Sequence, residues 1–312
     1  MRGERDRPRL HVFTSGSCNN NCLFCLDDRA ARREIDPSDA ENQLVANRHL
    51  KSVLFTCGEP TLHPDLVQLI GRSRELGYED VRVVTNGRRL AYPDYTRRLV
   101  AAGLTGITVS LHGPDAETHD RVVRTPGAFA QTWQALEHLA TLRAEGIALE
   151  LTTSSVIQKH TLPRVGDLLA RLAQVGPDVS VLNVVQPLGE ALVHFEATVL
   201  PYREIVAGLR SALVDGERPR EVAIEGLPWC LSPELRSHLG QREEIVVRHD
   251  GDERTLDRHR NQIHGPPCQT CAVADACGGV FEAYVERFGW GEFSPLVDRA
   301  VVDRGDTGCE LP

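Results

Sequence analysis

The chain has 312 residues, 41% hydrophobic and 25% charged, with a formal net charge of −9, enough for one large α/β domain or a core domain with a smaller appendage. No run approaches the ~18 to 20 consecutive apolar residues of a membrane-spanning helix, and the basic start Met1-Arg2-Gly3-Glu4-Arg5 leads into no apolar signal segment, so membrane insertion and secretion are not expected. The acidic balance, with no Arg-rich run, argues against a phosphate-neutralising surface, so a nucleic-acid partner is not expected either, and small molecules or peptides fit better.

From residue 9 to about 187 a short β-branched apolar run followed by a helical segment repeats, the signature of a parallel α/β sheet or barrel. Six strands are predicted: Leu10 to Thr14, Ser52 to Thr56, Val81 to Thr85, Gly106 to Leu111, Ala148 to Thr153 and Ser180 to Gln186. Each is apolar enough to be covered on both faces. Helices fill the intervals. The clearest follows Gly127, where Phe129, Trp133, Leu136 and Leu139 recur at three- and four-residue spacing, a core-packing stripe that ends at Gly146. Polar, glycine-containing segments come directly after the strands: Thr14-Ser15-Gly16-Ser17, Cys57-Gly58-Glu59-Pro60, Thr85-Asn86-Gly87, Ser110-Leu111-His112-Gly113 and Gln186-Pro187-Leu188-Gly189. In parallel α/β architectures such carboxyl-end loops build the site. After residue 190 the pattern changes to a helix near 201 to 215, a Pro/Glu/Arg-rich stretch and a hairpin around Arg248-His249-Asp250-Gly251-Asp252. With little apolar periodicity of its own, this part is expected to be a smaller domain built around a metal site. The expected division is therefore 1–190 and 191–312.

The nine cysteines fall at 18, 22, 25, 57, 230, 268, 271, 277 and 309. In a cytoplasmic chain, the location expected here, thiols stay reduced, and grouped thiols point to metal or catalysis. Cys18-Asn19-Asn20-Asn21-Cys22-Leu23-Phe24-Cys25 places three thiols on the loop after the first strand, an arrangement that suits an iron-sulfur cluster. A structural zinc would want four ligands. Three leave one iron open for chemistry.

CxxxCxxC at this place resembles the radical S-adenosylmethionine superfamily. The resemblance covers about residues 9 to 190 and implies a partial (βα)6 TIM-like barrel. In it Cys18, Cys22 and Cys25 hold a 4Fe-4S cluster whose fourth iron is chelated by S-adenosylmethionine. It further implies that Gly58 and Glu59, in a GGEP-like segment, lie at the methionine amino group, with Cys57 in place of the first glycine. Ser110 matches a cofactor-contacting serine, in a segment where the family often has Asp at the position of His112. Arg124 resembles the arginine that pairs with the methionine carboxylate, a fork that lysine does not reproduce; a surface ion pair is the plainer reading. Asn86 resembles the turn residue near the ribose, and Gly189 the position packed on adenine, although turn chemistry alone also selects such residues. The implied mechanism is reductive cleavage of the cofactor to a 5'-deoxyadenosyl radical that abstracts a substrate hydrogen, the protein supplying positioning and exclusion of water.

Cys268-Gln269-Thr270-Cys271 and Cys277-Gly278-Gly279 form a CxxCxxxxxC group. Alone this is also half a zinc ribbon. Behind such a core it resembles the twitch or SPASM C-terminal domain. Because Phe281 stands where a full SPASM domain has a further cysteine, one auxiliary 4Fe-4S cluster is implied. Its fourth ligand is Cys230 or Cys309. Cys57 and Cys309, where not ligands, are candidate hydrogen donors to a substrate radical, against the plainer reading of free thiols, a small side chain packed in place at Cys57.

The expected function is hydrogen abstraction from an unactivated C-H of a natural-product substrate, either an aminoglycoside or sugar-type small molecule or a ribosomal peptide, with oxidation, epimerisation or crosslinking as the outcome. A flavodoxin or ferredoxin is the expected electron donor. A first strand at residue 9 leaves no N-terminal peptide-recognition domain, which weighs against the peptide. Glu150, Thr152 and Gln186 are suggested as barrel-lining, against satisfied core polar residues. The rivals are a non-catalytic iron-sulfur electron carrier or zinc-binding structural protein, which needs no barrel, and an RNA-modifying or methyl-transferring relative, which the acidic charge disfavours.

Overall fold

The computed structural model describes residues 8–14, 16–26, 39–214, 216–239, 245–247, 253–255, 261–275 and 277–298. Strands β1 (Arg9–Phe13), β2 (Ser52–Thr56), β3 (Asp80–Thr85), β4 (Gly106–Ser110), β5 (Glu150–Ile157), β6 (Val179–Val184) and β7 (Val222–Glu225) form a parallel run in which each pairs with the next. The intervening helices are α1 (Asp39–Ala46), α2 (Leu66–Glu75), α3 (Pro93–Ala101), α4 (Ala116–Val123), α5 (Ala128–Ala144) and α6 (Val165–Ala173), then the short α7 (Glu190–Val193) and α8 (Phe195–Thr198), and α9 (Tyr202–Val214). When every crossover advances in one direction, the strands keep their chain order and the twisted sheet curls into an open, partial barrel.

The sheet does not end with the run of six. β7 extends one edge, and β8 (Ile245–Val247) adds to the other, parallel to β1, with β9 (Glu253–Thr255) antiparallel beside it. The expected hairpin is thus present in its two strands, while its turn, 248–252, lies outside the described residues. The nine-stranded sheet therefore runs across residue 190. β7 was not predicted because Val222-Ala223-Ile224-Glu225 is a four-residue run inside a stretch rich in Pro, Glu and Arg, and only its pairing with β6 makes it a strand. β5 reaches Ile157, four residues past its predicted end, since Ser154 and Ser155 interrupt the apolar signal but not the pairing with β6.

Strand alternation sorts the side chains. Leu10, Val12, Val53, Phe55, Val81, Val83, Ile107, Val109 and Leu151 face the helices and pack with Leu44, Ile70, Leu99, Leu136 and Leu139 in the main core. The stripe expected on α5 is part of this packing. Leu182, Val184, Val222 and Ile224 do the same against Ile205 and Leu209 of α9. The remaining positions point into the barrel.

At the amino ends of the strands that interior is closed by charge. Arg9 donates to Ser52 Oγ at 2.8 Å, Ser52 Oγ to Asp80 Oδ2 at 2.8 Å, and Arg82 to Asp80 Oδ1 at 2.7 Å and to both Glu150 oxygens at 2.8 and 2.5 Å. Glu150 is thus committed to Arg82 at the floor of the barrel, not to its mouth, so the suggestion that it lines the substrate site is corrected. β5 begins at Glu150, and parallel strands offer only their carboxyl ends to the site. Burial pushes the Asp80 carboxyl up, but Arg82, the Ser52 hydroxyl and Arg9 outweigh it, and its pKa lies below the ordinary value. A depressed carboxylate contributes stability that is present above its unfolded pKa and is lost as pH falls through its folded value. Asp80→Asn is expected to cost about 1 to 2 kcal/mol in urea unfolding at neutral pH, partial exposure tempering the loss. The difference from wild type should shrink as pH falls below the unfolded carboxyl value of about 4 and through the lower pKa of the folded state.

Candidate active site and second cysteine pocket

Cys18, Cys22 and Cys25 are half-buried on the loop that leaves β1 at the carboxyl mouth. Such a loop has no regular partner for its backbone, so its shape must come from neighbours. Three elements supply it. At the carboxyl end of α4, the Val122 and Val123 carbonyls accept the Leu23 and Asn21 N–H groups, both at 2.9 Å. After β3, Arg88 donates to the Asn19 carbonyl and to Asn20 Oδ1, and Asn86 Nδ2 donates to Asn19 Oδ1 at 2.6 Å. At the start of α7, the Glu190 N–H donates to the Cys25 carbonyl at 2.9 Å. Two donors also reach a thiol, the Asn20 N–H at 3.4 Å and Asn86 Nδ2 at 3.9 Å from Cys18 Sγ. Such donors favour a thiolate and tune a cluster.

Gly189 closes this packing. Its φ is +54°, and a Cβ would stand 2.5 Å from the Cys25 carbonyl oxygen and 2.9 Å from that of Leu26. The residue expected beside adenine therefore has a demanding neighbour of its own, the cysteine loop.

Glu59 is buried and fully engaged. Its Oε1 accepts from the Thr61 N–H at 3.0 Å, the Thr61 hydroxyl at 2.7 Å and the Thr85 hydroxyl at 2.6 Å, and its Oε2 from the Asn86 N–H at 2.7 Å. Its own N–H donates to the Ser17 carbonyl. One residue thus staples together the loops after β1, β2 and β3, its carboxylate holding the latter two and its N–H the first. Cys57 (φ 68°) and Gly58 (φ 58°) are both left-handed. The constraint at Cys57 is therefore backbone conformation as well as side-chain size, since non-glycine residues resist that region.

Arg124 caps α4 and spreads its fork over protein acceptors, the Asn21 carbonyl at 2.6 Å and Glu190 Oε2 at 3.2 Å, with His194 Nε2 at 3.3 Å. Ser110 ends β4, beside Ser154 in register. His112 is buried and its Nδ1 accepts the Val156 N–H at 3.1 Å, while its ring meets Phe24 of the cysteine motif edge-on at 4.7 Å. Burial and then His119 hold its pKa well below the ordinary imidazole value, so it is a neutral ring with the proton on Nε2. Glu190, Arg88 and the asparagines at 19 to 21 were not singled out from sequence. Their only signal there is adjacency to Gly189, to the Asn86-Gly87 turn and to the cysteines.

At the other end, β10 (Gln262–Ile263) and β11 (Val280–Phe281) pair antiparallel and bring together the two ends of the segment that carries Cys268, Cys271 and Cys277. α10 (Glu282–Phe288) follows directly. All three cysteines and Cys230 line one cavity, walled by Trp229, Pro267, Val273, Val280 and Phe293. Burial, then the nearby Cys277, pushes the Cys230 thiol up to about 11, and burial raises Cys277 as well. Among the described residues no three His, Cys, Asp or Glu side chains form a ready single-ion site. The four thiols instead line one shared space. Cys309, the competing fourth ligand, lies outside the described residues.

A family model of the Radical SAM superfamily matches residues 12–147. The fold is similar to that of Streptococcus suis SuiB bound to S-adenosylmethionine (TM-score 0.63, 14% identity, 98% of this chain and 78% of that one). It is equally similar to native anSMEcpe with bound AdoMet (TM-score 0.63, 14% identity, 96% of this chain and 100% of that one). At that identity the likeness speaks for the fold alone. A probable GTP 3',8-cyclase of Saccharolobus islandicus (strain Y.N.15.51 / Yellowstone #2) is 37% identical over 117 residues, 36% of this chain and 37% of the relative. One from Methanothermobacter marburgensis is 29% identical over 119 residues, 37% of this chain and 38% of the relative. The chain thus spans a little over a third of the length of the curated relatives it matches. The family match covers residues 12–147, and the likeness in fold extends over nearly the whole chain. Among the described residues no helix is long and apolar enough to cross a membrane.

Two substitutions test the architecture of the mouth. Glu59→Gln replaces an acceptor of four hydrogen bonds with a group that must present N–H to some of those donors, and should cost about 2 kcal/mol or more in denaturant unfolding. Gly189→Ala should leave the far-ultraviolet circular dichroism intact while lowering the iron retained after reconstitution, because its Cβ displaces the Cys25 carbonyl.

Proposed function

We propose that the chain uses Cys18, Cys22 and Cys25 to hold a 4Fe-4S cluster that binds S-adenosylmethionine, and abstracts hydrogen from an unactivated C-H of a small natural-product or peptide substrate. The observation that carries this reading is the three-thiol loop, pinned from three sides at the carboxyl mouth of an open parallel barrel, with N–H donors on Cys18 Sγ. Cluster and cofactor, once bound, supply a 5'-deoxyadenosyl radical.

The protein's own part is placement. Gly58, Glu59, Asn86, Ser110, Arg124 and Gly189 are proposed to surround the cofactor. Arg124 already links the cysteine loop to α7, so a carboxylate arriving at its fork would join a preformed set of acceptors, and the Asn86 side chain would stay on Cys18. His112, neutral and packed on Phe24, contributes shape and no charge. The four thiols at 230, 268, 271 and 277 are proposed to hold an auxiliary 4Fe-4S cluster in a twitch-like unit within 191–312, serving as a one-electron conduit. Support comes from the shared cavity and its apolar walls, which favour a buried cluster over a hydrated ion. Cys57 at the mouth, and Cys309, are kept as hydrogen-donor candidates. A cytoplasmic setting with flavodoxin or ferredoxin as donor completes the reading. The relatives named GTP 3',8-cyclase favour a second reading, cyclisation of a purine nucleotide by the same radical chemistry.

Anaerobic reconstitution should load about eight irons, the content of two 4Fe-4S clusters. Dithionite with S-adenosylmethionine should then yield 5'-deoxyadenosine. Replacing Cys18, Cys22 and Cys25 with Ala should halve the iron and abolish that product, whereas Cys230→Ala should lower iron and leave cofactor cleavage. A fully loaded wild-type protein that releases no 5'-deoxyadenosine would leave the electron-carrier reading in place.

A further inference from the structure

A column of five rings runs from the first cysteine motif into the helical layer. Phe24, between Cys22 and Cys25, meets the His112 ring edge-on at 4.7 Å, and His112 stacks on His119 of α4 at 5.6 Å with the planes 6° apart. His119 meets Phe129 of α5 at 6.1 Å, and Phe129 is stacked on Trp133 at 6.3 Å. Arg171 of α6 covers the far end, over Trp133 at 4.3 Å and Phe129 at 5.0 Å. Within the turn from Cys22 to Cys25, Phe24 is the side chain that reaches this column, so its ring is a handle on both thiols. Phe24 and Cys22 also pack against Val122, Val123 and Ala128.

The two imidazoles of the column both spend Nδ1 on a main-chain donor. His112 Nδ1 accepts the Val156 N–H of β5 at 3.1 Å, and His119 Nδ1 accepts the His112 N–H at 3.0 Å. An Nδ1 that accepts leaves the proton on Nε2, and burial keeps His119 neutral, its pKa lowered to about 4. The His119 Nε2 is buried with no hydrogen-bond partner among the described residues. An apolar ring would fill that place without an orphaned donor, so what His119 adds is its acceptor. The two bonds run in series, from the end of β5 to the loop after β4 and on to α4, the helix whose last carbonyls hold the cysteine loop.

We propose that His112 is a positioning residue for the three-thiol site: it locks the Phe24 ring against α4 and the end of β5, and thereby sets the turn that carries Cys22 and Cys25. This rests on the proposed role of those thiols and adds a residue that holds them in place.

Two variants separate the functions of the imidazole. His112→Phe keeps a ring against Phe24 and loses the acceptor, and His112→Asn keeps an acceptor near the place of Nδ1 and loses the ring. The test is hydrogen exchange of the apo-protein read by mass spectrometry. Each variant should speed exchange of the peptide over 18–25 about tenfold while the peptides of β2 and β3 keep wild-type protection. His112→Asn combined with Phe24→Ala should exchange no faster than Phe24→Ala alone, because both changes remove one contact. In reconstituted Cys230→Ala protein, which leaves the first cluster to be observed, both His112 changes should alter the electron paramagnetic resonance line shape of the reduced cluster, which a loss of stability alone would not do. Where His112→Phe does not reach native circular dichroism, His112→Asn, the smaller change, decides. Unchanged loop exchange in a natively folded variant, an increase spread equally over β2 and β3, additive effects of the two substitutions, or an unaltered line shape would each overturn the proposal. Release of 5'-deoxyadenosine by the wild type is read separately. Unchanged loop exchange beside normal release defeats this inference alone, and a fully loaded wild type that releases none defeats the radical reading beneath it.

Discussion

An irregular loop of eight residues, Cys18 to Cys25, carries the candidate chemistry, and it has no secondary structure with which to satisfy its own backbone. Its conformation depends on borrowed partners: two carbonyls at the end of α4, the side chains of Asn86 and Arg88 after β3, and the Glu190 N–H at the start of α7. Each of these stands at a defined place on a rigid scaffold, so the loop inherits the precision of the sheet. Glu59 extends the same logic one layer outward, since the turn that presents Asn86 is itself held by the Glu59 carboxylate. The loop that carries the three thiols thus owes its shape to a second layer of contacts as much as to its own spacing.

The paired charges on the floor follow from one geometrical fact. In a parallel barrel every strand enters at one end and leaves at the other, so residues early in β1, β3 and β5 meet each other and never meet a ligand at the carboxyl ends. Arg9, Asp80, Arg82 and Glu150 accordingly satisfy one another in place of a core. Loss of a floor partner is therefore felt in stability.

The second cysteine pocket is built on another plan. Its peptide is short and poor in apolar residues, yet Val280, Phe281, Tyr284 and Phe293 join the same packed cluster as β6, β7 and α9. The cysteine-bearing segment is therefore fastened to the barrel side of the molecule by aromatic packing, while its thiols face a cavity of their own.

What could be read without coordinates was whatever depends on neighbours in the chain: the strand-helix alternation, the stripe on α5, the CxxxCxxC loop and the glycine-bearing loops after the strands. The role of each partner could not be read that way. Glu150 looks like a polar strand residue until Arg82, 68 positions earlier, is seen beside it. Gly189 looks like a turn glycine until the Cys25 carbonyl is seen where its Cβ would be. Cys230 lies far upstream of Cys268, Cys271 and Cys277, and packing puts all four in one cavity. Periodicity and motif spacing are local quantities, and they sufficed for the order of elements and the placing of the first three thiols. Register, strand ends and side-chain partners are set by contacts between residues distant in sequence, and for β7 and the floor network only the tertiary structure decides them.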